Sequence, residues 1–322
     1  MNPINQTDVQ SEQPFGADPR PIEETACELP LRRPGLLRSY CLPAAVIAVA
    51  ILFVWSLASN RNLEWPIVAR YMLHPAIVEG VLLTLILTAV AMAVGSVLGL
   101  LVALCRLSAS RTAVLVAWWF VWIFRGTPVL VQLVFWYNLA LLYPVMSIGL
   151  PFGPTLWSAS TNQVISPAVA AVLGLGLNAA AYLSENFRAG ISAIDSGQIE
   201  AATSLGLRRP SVFLWVVAPQ AMRIVVPSVT NEAVSMLKMT SLVSVLAIPE
   251  LFGAAQAIYS RTYETIPLLF VVTFWYLLMV SLLTLLTQRV EAHFSKGFSK
   301  RKPAAPMVAK GAGMAAKTGA AT

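Results

Sequence analysis

The feature that most constrains this chain is a series of long apolar segments separated by short polar ones. Residues 39–60 carry no charge, and at 1.5 Å per residue they can cross roughly 30 Å of hydrocarbon as a helix. Residues 80–105, bounded by Glu79 and Arg106, form a second such segment. These segments predict transmembrane helices.

Composition agrees with this prediction. Hydrophobic residues make up 57% of the 322 positions and charged residues 11%, which places the chain among integral membrane proteins. We predict an all-α fold, a polytopic transmembrane bundle with about six transmembrane helices. The four further predicted spans are residues 113–143, 167–184, 225–248 and 267–288.

The connecting segments complete the predicted organisation. Residues 143–166 and 251–266 are expected to be outer loops, and residues 77–291 are expected to form the main transmembrane domain. The polar, proline-bearing segment 1–38 and the basic segment 292–322 lack a core pattern, so we expect disordered tails there.

Lysine and arginine predict the orientation. With both termini in the cytoplasm, 17 of the 22 basic residues lie on the cytoplasmic side and three on the outer side. This asymmetry follows the positive-inside rule. It also accounts for the formal charge of +7 better than nucleic-acid binding does, because the basic residues are dispersed between apolar spans.

The third predicted span contains an arginine beside a helix breaker. Arg125 is followed by Gly126 and Pro128, and the proline removes a backbone hydrogen bond, so a kink is expected there. An arginine near membrane depth faces protein or water, which makes Arg125 a candidate for function. Snorkelling of its side chain to the interface is the alternative.

Polar residues also occur in the fifth span. It contains Asn231, Glu232 and Lys238. The two charged residues are six apart and lie on different helix faces, so each needs another partner: a neighbouring helix, water or a ligand. Gly95 and Gly99 in the second span form a G-x-x-x-G face, which predicts close packing within one subunit or against a second copy.

Residues 195–219 form a polar, small-residue insert between two apolar regions. Asp195 and Gln198 have the spacing of a capping box, which predicts a helix start. Gly206 predicts the helix end, because glycine adopts the left-handed conformation that closes many helices.

A second short helix is expected to follow. Pro210 suits its first turn, and Pro219 is expected to end it after residues 212–217. The prediction is a bent helix-turn-helix with Arg208 and Arg209 at its corner. An amphipathic connector lying in the membrane interface is the alternative.

Metal and nucleotide chemistry are not indicated. Three scattered cysteines and two histidines make neither a disulfide framework nor a zinc cluster. The chain has no G-x-x-x-x-G-K-[ST] run, so nucleotide hydrolysis is expected in a partner. We predict no metal, no cofactor and no catalytic residue.

Five motifs together resemble one family. They closely resemble, in order and spacing, the membrane-spanning permease subunits of ATP-binding-cassette (ABC) importers for polar amino acids, the histidine, glutamine, arginine and opine group. The similarity covers roughly residues 79–291 and implies the type I importer fold. The motifs are FRGTPVLVQL at 124–133, AAYLSENFRAGI at 180–191, GQIEAATSLGL at 197–207, PQAMRIVVPSVTNE at 219–232 and LKMTSLVSV at 237–245.

The resemblance implies a coupling role for residues 195–219. In that family this loop fits a groove on the cytosolic ATPase and transmits its closure to the pore. The predicted coupling residues are Glu200, Ala201, Ala202, Gly206, Arg208 and Arg209. Five spans are usual in the family, so residues 39–60 would be an additional leading helix.

The resemblance also implies partners in the cytoplasmic (inner) membrane. These are a cytosolic ATPase dimer, a second permease subunit (identical or homologous), an extracytoplasmic solute-binding protein and a small polar amino acid, with transport by alternating access. A substrate with a carboxylate and an ammonium needs polar groups of both signs. The pathway candidates are Arg125, Asn231, Glu232 and Lys238.

Two other functions compete with this interpretation. An ion-coupled secondary transporter could use Glu232 and Lys238 in a relay, but the sequence shows no internal inverted repeat. A membrane scaffold without transport would leave the charged positions of the fifth span unexplained.

Overall fold

A computed structural model describes residues 36–149 and 155–294. The chain divides into two compact units, residues 1–60 and 61–322. The described part of the first unit is mainly helix α1, Leu36–Ala58, whose apolar stretch Cys41–Ala58 has a mean hydropathy of 2.4. The predicted leading helix is thus present and begins three residues early; the rest of the predicted tail, 1–35, lies outside the described residues.

The second unit is a helical bundle with one small hairpin. Its elements are α2 (Trp65–Met72), α3 (Pro75–Arg106), α4 (Arg111–Gly126), α5 (Val129–Tyr137), β1 (Val145–Gly149), β2 (Thr155–Ser160), α6 (Thr161–Val164), α7 (Pro167–Ser192), α8 (Ser196–Ser204), α9 (Arg209–Val212), a π-helix (Phe213–Val217), α10 (Ala218–Met239), a 3₁₀-helix (Thr240–Leu246), α11 (Leu251–Thr262) and α12 (Thr265–Phe294). Short 3₁₀ turns cover Arg61–Leu63 and Leu139–Leu141.

The described helices agree with about six membrane spans. Five are long and apolar enough to cross a membrane, and six if the bent pair α4 and α5 counts as one span. The predicted all-α class is confirmed. Helix α12 continues to Phe294, so the described end of the bundle includes the first three residues of the predicted C-terminal tail; residues 295–322 lie outside the described residues.

Helices α3 and α7 form the centre of the bundle through small residues. A Cβ atom at Gly95 would lie 2.6 Å from the Cβ of Ala179, and one at Gly99 would lie 2.9 Å from the carbonyl oxygen of Ala180. Both separations are too short for any larger side chain. The G-x-x-x-G face therefore packs within the subunit, the first of its two predicted uses.

The predicted kink is a sharp bend. Helices α4 and α5 meet at 102° across residues 127–128. Pro128 precedes α5 and Thr127 ends α4 in an extended conformation. The kink predicted from Gly126 and Pro128 is thus present and breaks the third segment into two helices.

Two predicted loops are structured. In residues 143–166, β1 and β2 pair antiparallel, with Val145 opposite Ser160, and α6 follows. In residues 251–266, α11 forms because the Glu250 side chain caps its first backbone N–H groups. These two connecting segments therefore contain short elements, while their predicted location on the outer side stays a prediction. Helix α7 extends eight residues past the predicted span end at 184.

The predicted end of the second short helix is also wrong. Helix α9 passes through the π-helix directly into α10, and Pro219 lies in the first turn of α10. In a π-helix the backbone hydrogen bonds span five residues instead of four, and the wider turn has room for a proline ring. The side-chain amide of Gln220 donates to the Val216 carbonyl oxygen at 2.9 Å and satisfies an acceptor there.

Candidate functional sites: a coupling segment and a polar bend

Helix α8 begins and ends as its sequence predicts. The Asp195 carboxylate accepts a hydrogen bond from the Gly197 N–H at 2.6 Å, one residue earlier than the capping-box contact with Gln198. Gly206 has φ +82°, which L side chains rarely adopt. The Gly206 N–H donates to the Thr203 carbonyl at 2.9 Å, so the helix closes there.

The side chain that fastens α8 to the bundle is Ala202. It is 5% exposed and packs with Val212 and Val217, with Ile191 and Ile194 against the same cluster. Ala202, one of the predicted coupling residues, therefore faces its own subunit.

The remaining predicted coupling residues face outward. Each of them is exposed, and they share one end of the bundle with Leu205, whose side chain is 83% exposed. The exposed coupling residues are Glu200, Ala201, Gly206, Arg208 and Arg209.

An ion-pair network joins α3 to α7 close to this segment. One carboxylate oxygen of Glu185 accepts from the Arg106 guanidinium, and the other accepts from Arg188 Nη2 at 2.8 Å and Nε at 3.0 Å. Glu185 lies ten residues before the α8 cap. The network therefore ties the end of α3 to the part of α7 that leads to α8.

Arg125 lies at the bend. Its guanidinium lies 4.8 Å from the ring centroid of Tyr182, within cation–π range, and its side chain is exposed. It also attracts the half-buried carboxylate of Glu232 electrostatically, without an ion pair within 4.0 Å among the described residues. The structure thus brings two pathway candidates, Arg125 and Glu232, near one another.

The other two pathway candidates lie in the same helix as Glu232. Asn231 and Lys238 are exposed, and neither side chain forms a hydrogen bond or an ion pair within the described part of the chain. Lys238 lies in the last turn of α10, where a cation is favoured by the helix dipole.

Residues 95–300 match the family described as binding-protein-dependent transport system inner membrane component. The chain belongs to this family. The match includes the bend, α7, the coupling segment and α10, so the elements described above lie within the family's shared region.

Similar proteins agree with this assignment. The permease is 39% identical over 297 residues to the arginine transport system permease protein ArgU of Corynebacterium glutamicum, covering 91% of this chain and 89% of that protein. It is 33% identical over 217 residues to the arginine transport system permease protein ArtQ of Bacillus subtilis, covering 67% and 91%. A crystal structure of an amino acid ABC transporter with histidines matches with a TM-score of 0.58 at 32% identity, covering 68% of this chain and 94% of that one.

The comparisons decide between the competing functions. The chain is a membrane-spanning permease subunit of an ABC importer and not an enzyme, because ATP hydrolysis in this family belongs to a separate subunit. Membership of this family does not agree with the alternative that the chain is an ion-coupled secondary transporter. Across residues 36–149 and 155–294, no three His, Cys, Asp or Glu side chains group as metal ligands, and the absence of a cofactor stays a prediction.

Two buried amides that the sequence analysis did not select hold the bend. The Gln132 amide nitrogen donates to the Phe124 carbonyl at 3.0 Å and the Thr127 hydroxyl at 2.8 Å, and the Asn178 amide nitrogen donates to the same Phe124 carbonyl at 2.8 Å. Within the described residues, the amide oxygens of Gln132 and Asn178 are buried without a hydrogen-bond partner. Both residues therefore join the candidate pathway.

Glu250 is a third residue that the sequence did not indicate. It is fully buried and accepts from the Phe252 N–H at 3.0 Å, the Gly253 N–H at 2.8 Å and the Tyr276 hydroxyl at 3.0 Å. Burial raises the pKa of Glu250, and these hydrogen bonds oppose the rise. The carboxylate joins α11 to α12, and Thr84 of α3 donates to it at 3.3 Å.

Proposed function

We propose that this permease transports a polar amino acid or an amino-acid derivative inward, with both termini and residues 195–219 in the cytoplasm. Its partners would be a cytosolic ATPase dimer, a second permease subunit and an extracytoplasmic solute-binding protein. The names of the relatives support the substrate class, since they are arginine, glutamine and nopaline transport permeases.

The observation that carries the proposal is the exposed face of α8. Glu200 and Leu205 project from a helix whose opposite face is fastened by Ala202, and Gly206 ends it. A short helix seated at one point and exposed elsewhere fits a groove on a partner without disturbing its own packing. ATP binding can then shift the permease between states only if the ATPase binds those states with different affinities.

The substrate pathway would pass the bend. Arg125 and Glu232 supply opposite charges for a carboxylate and an ammonium, and the amide oxygens of Gln132 and Asn178 supply buried acceptors. Asn231 directly precedes Glu232, and Lys238 lies six residues farther along α10; both side chains are exposed and would contact the substrate from this helix.

The test is charge reversal on the exposed face of α8. Glu200→Lys should reduce substrate-stimulated ATP hydrolysis at least tenfold in proteoliposomes that contain the ATPase and the binding protein, because it places a repulsive charge in a complementary interface. The reversal leaves the internal packing of α8 unchanged, since Glu200 is exposed. Uptake of labelled L-arginine and L-glutamine should fall in parallel.

Glu64→Lys is the matched control, because Glu64 is also an exposed glutamate but lies before α2, far along the chain from α8. Coupling that is equally strong in Glu200→Lys and Glu64→Lys would contradict the coupling role. Uptake of neither amino acid by a fully coupled complex would contradict transport of L-arginine and L-glutamine.

A further inference from the structure

A cavity of about 510 Å³ lies between the turn that joins α2 to α3 and the helix α11. It is near the start of α3, whereas the Arg106 network is at the other end of this 32-residue helix. Along the helix axis, Arg106 is roughly 40 Å from Glu79. The cavity is therefore at the end of the bundle opposite the coupling segment. Its lining includes Tyr71, His74, Glu79, Leu83, Ile258 and Arg261.

Two opposite charges face this cavity without pairing. Glu79 and Arg261 both line it and are exposed, and within the described residues neither forms an ion pair or a hydrogen bond. The charged groups of both side chains are therefore available to bind a ligand. A guanidinium binds a carboxylate through two parallel hydrogen bonds, and a carboxylate accepts from an ammonium.

A histidine adds a donor with a fixed direction. The Nδ1 atom of His74 accepts a hydrogen bond from the Ala76 N–H at 3.3 Å, which assigns the proton of the neutral ring to Nε2. The ring lies 5.5 Å from that of Tyr71. The cavity thus offers a ring N–H donor in addition to the guanidinium of Arg261.

The rest of the lining is apolar. Leu83 of α3 and Ala254, Ala257 and Ile258 of α11 form a wall beside the charged groups. A pocket of about 300–1,000 Å³ with an apolar wall and a few convergent polar groups is typical of small-molecule sites. The apolar wall suits the carbon stem of an amino-acid side chain.

We propose that this cavity is a binding site for a zwitterionic α-amino acid, with the carboxylate on Arg261 and the ammonium on Glu79. The inference rests on the proposed transport function and adds a subsite to it, on the side where substrate enters. This subsite is separate from the polar bend. An amino acid released from a binding protein would occupy it before it reaches the bend.

The test is direct amino-acid binding to the complete transporter. The permease with its ATPase is placed in lipid nanodiscs without binding protein, and equilibrium binding of labelled L-arginine and L-glutamine is measured. Glu79→Gln and Arg261→Gln should each raise the dissociation constant of the amino-acid site in this cavity at least tenfold, because each removes a charge-assisted hydrogen bond. Glu64→Gln and Arg70→Gln are matched controls, since neither residue lines the cavity.

The outcomes separate this inference from the proposed function. If Glu79→Gln and Arg261→Gln bind both amino acids like the native permease while Glu200→Lys still uncouples ATP hydrolysis, the subsite is wrong and the transport function stands. If the two variants keep amino-acid binding and lose only stimulation by the binding protein, the cavity is a docking site for that protein and the inference is overturned. Basal ATP hydrolysis should be unchanged in the controls Glu64→Gln and Arg70→Gln, which do not line the cavity.

Discussion

The packing of α3 on α7 leads to a prediction that can be measured precisely. Gly95 lies so close to α7 that a Cβ atom would be 2.6 Å from the Cβ of Ala179, a separation that real Cβ atoms essentially never show. The neighbour is a methyl group attached to the backbone, so it cannot rotate away. Gly95→Ala therefore has to separate the two helices or displace one of them.

The expected cost follows from overpacking. Adding a methyl group to a tightly packed interface costs about 1–3 kcal/mol, and in a domain of this size 2 kcal/mol lowers the melting temperature by about 4–8 °C. Gly99→Ala should have a similar effect, since its Cβ would lie 2.9 Å from the carbonyl oxygen of Ala180. The assay is thermal unfolding of the purified permease, followed by tryptophan fluorescence.

Gly126→Ala is the control for this series. A Cβ at Gly126 meets no atom within 4 Å, and its φ angle is not positive, so the substitution adds no clash or strain. Its melting temperature should equal that of the native permease. Equal melting of Gly95→Ala and Gly126→Ala would refute the reasoning that the glycine face sets the distance between α3 and α7.

Two carboxylates with several partners, the half-buried Glu185 and the buried Glu250, lead to further predictions. Glu185→Gln should lower the free energy of unfolding by about 1–3 kcal/mol in the same melting assay, because Arg106 and Arg188 would lose the charge between them; unchanged melting would contradict this. Glu250→Gln should speed hydrogen exchange of the first α11 amides about tenfold, because it weakens their cap. Tyr276→Phe removes only one hydrogen bond to Glu250 and should have a smaller effect on this exchange. Equal exchange in both variants and the native permease would show that Glu250 does not hold α11.

Much of the fold could be predicted from sequence because its causes are local. A run of apolar residues predicts a membrane helix wherever its neighbours lie, and the Gly126 and Pro128 pair predicts a break from backbone chemistry alone. The start of α8 at Asp195 and its end at Gly206 were predicted for the same reason. The motifs that carry the family resemblance belong to these same elements.

What the sequence did not predict depends on contacts between distant residues. Glu250 follows a proline in an apolar region, and its role is apparent only when Thr84 and Tyr276 are beside it. Gln132 is an ordinary polar residue until the 102° bend brings the Phe124 carbonyl within 3.0 Å of it. Pro219 was expected to end a helix, but the π-helix before it makes room for the proline ring.

One face of α7 contacts both the bend and the end of α3. Asn178, Tyr182 and Glu185 are spaced by four and three residues, so they lie in a single stripe along the helix. The first bonds the Phe124 carbonyl, the second lies under Arg125 and the third binds Arg106. Helix α7 then ends at Ser192, and α8 begins four residues later. If residues 195–219 couple to the ATPase as proposed, a displacement of α8 would act on the helix whose side chains contact the bend, and substrate at Arg125 would act on the same helix. Separate substitutions of Glu200 and Tyr182 that change coupling additively would contradict this route.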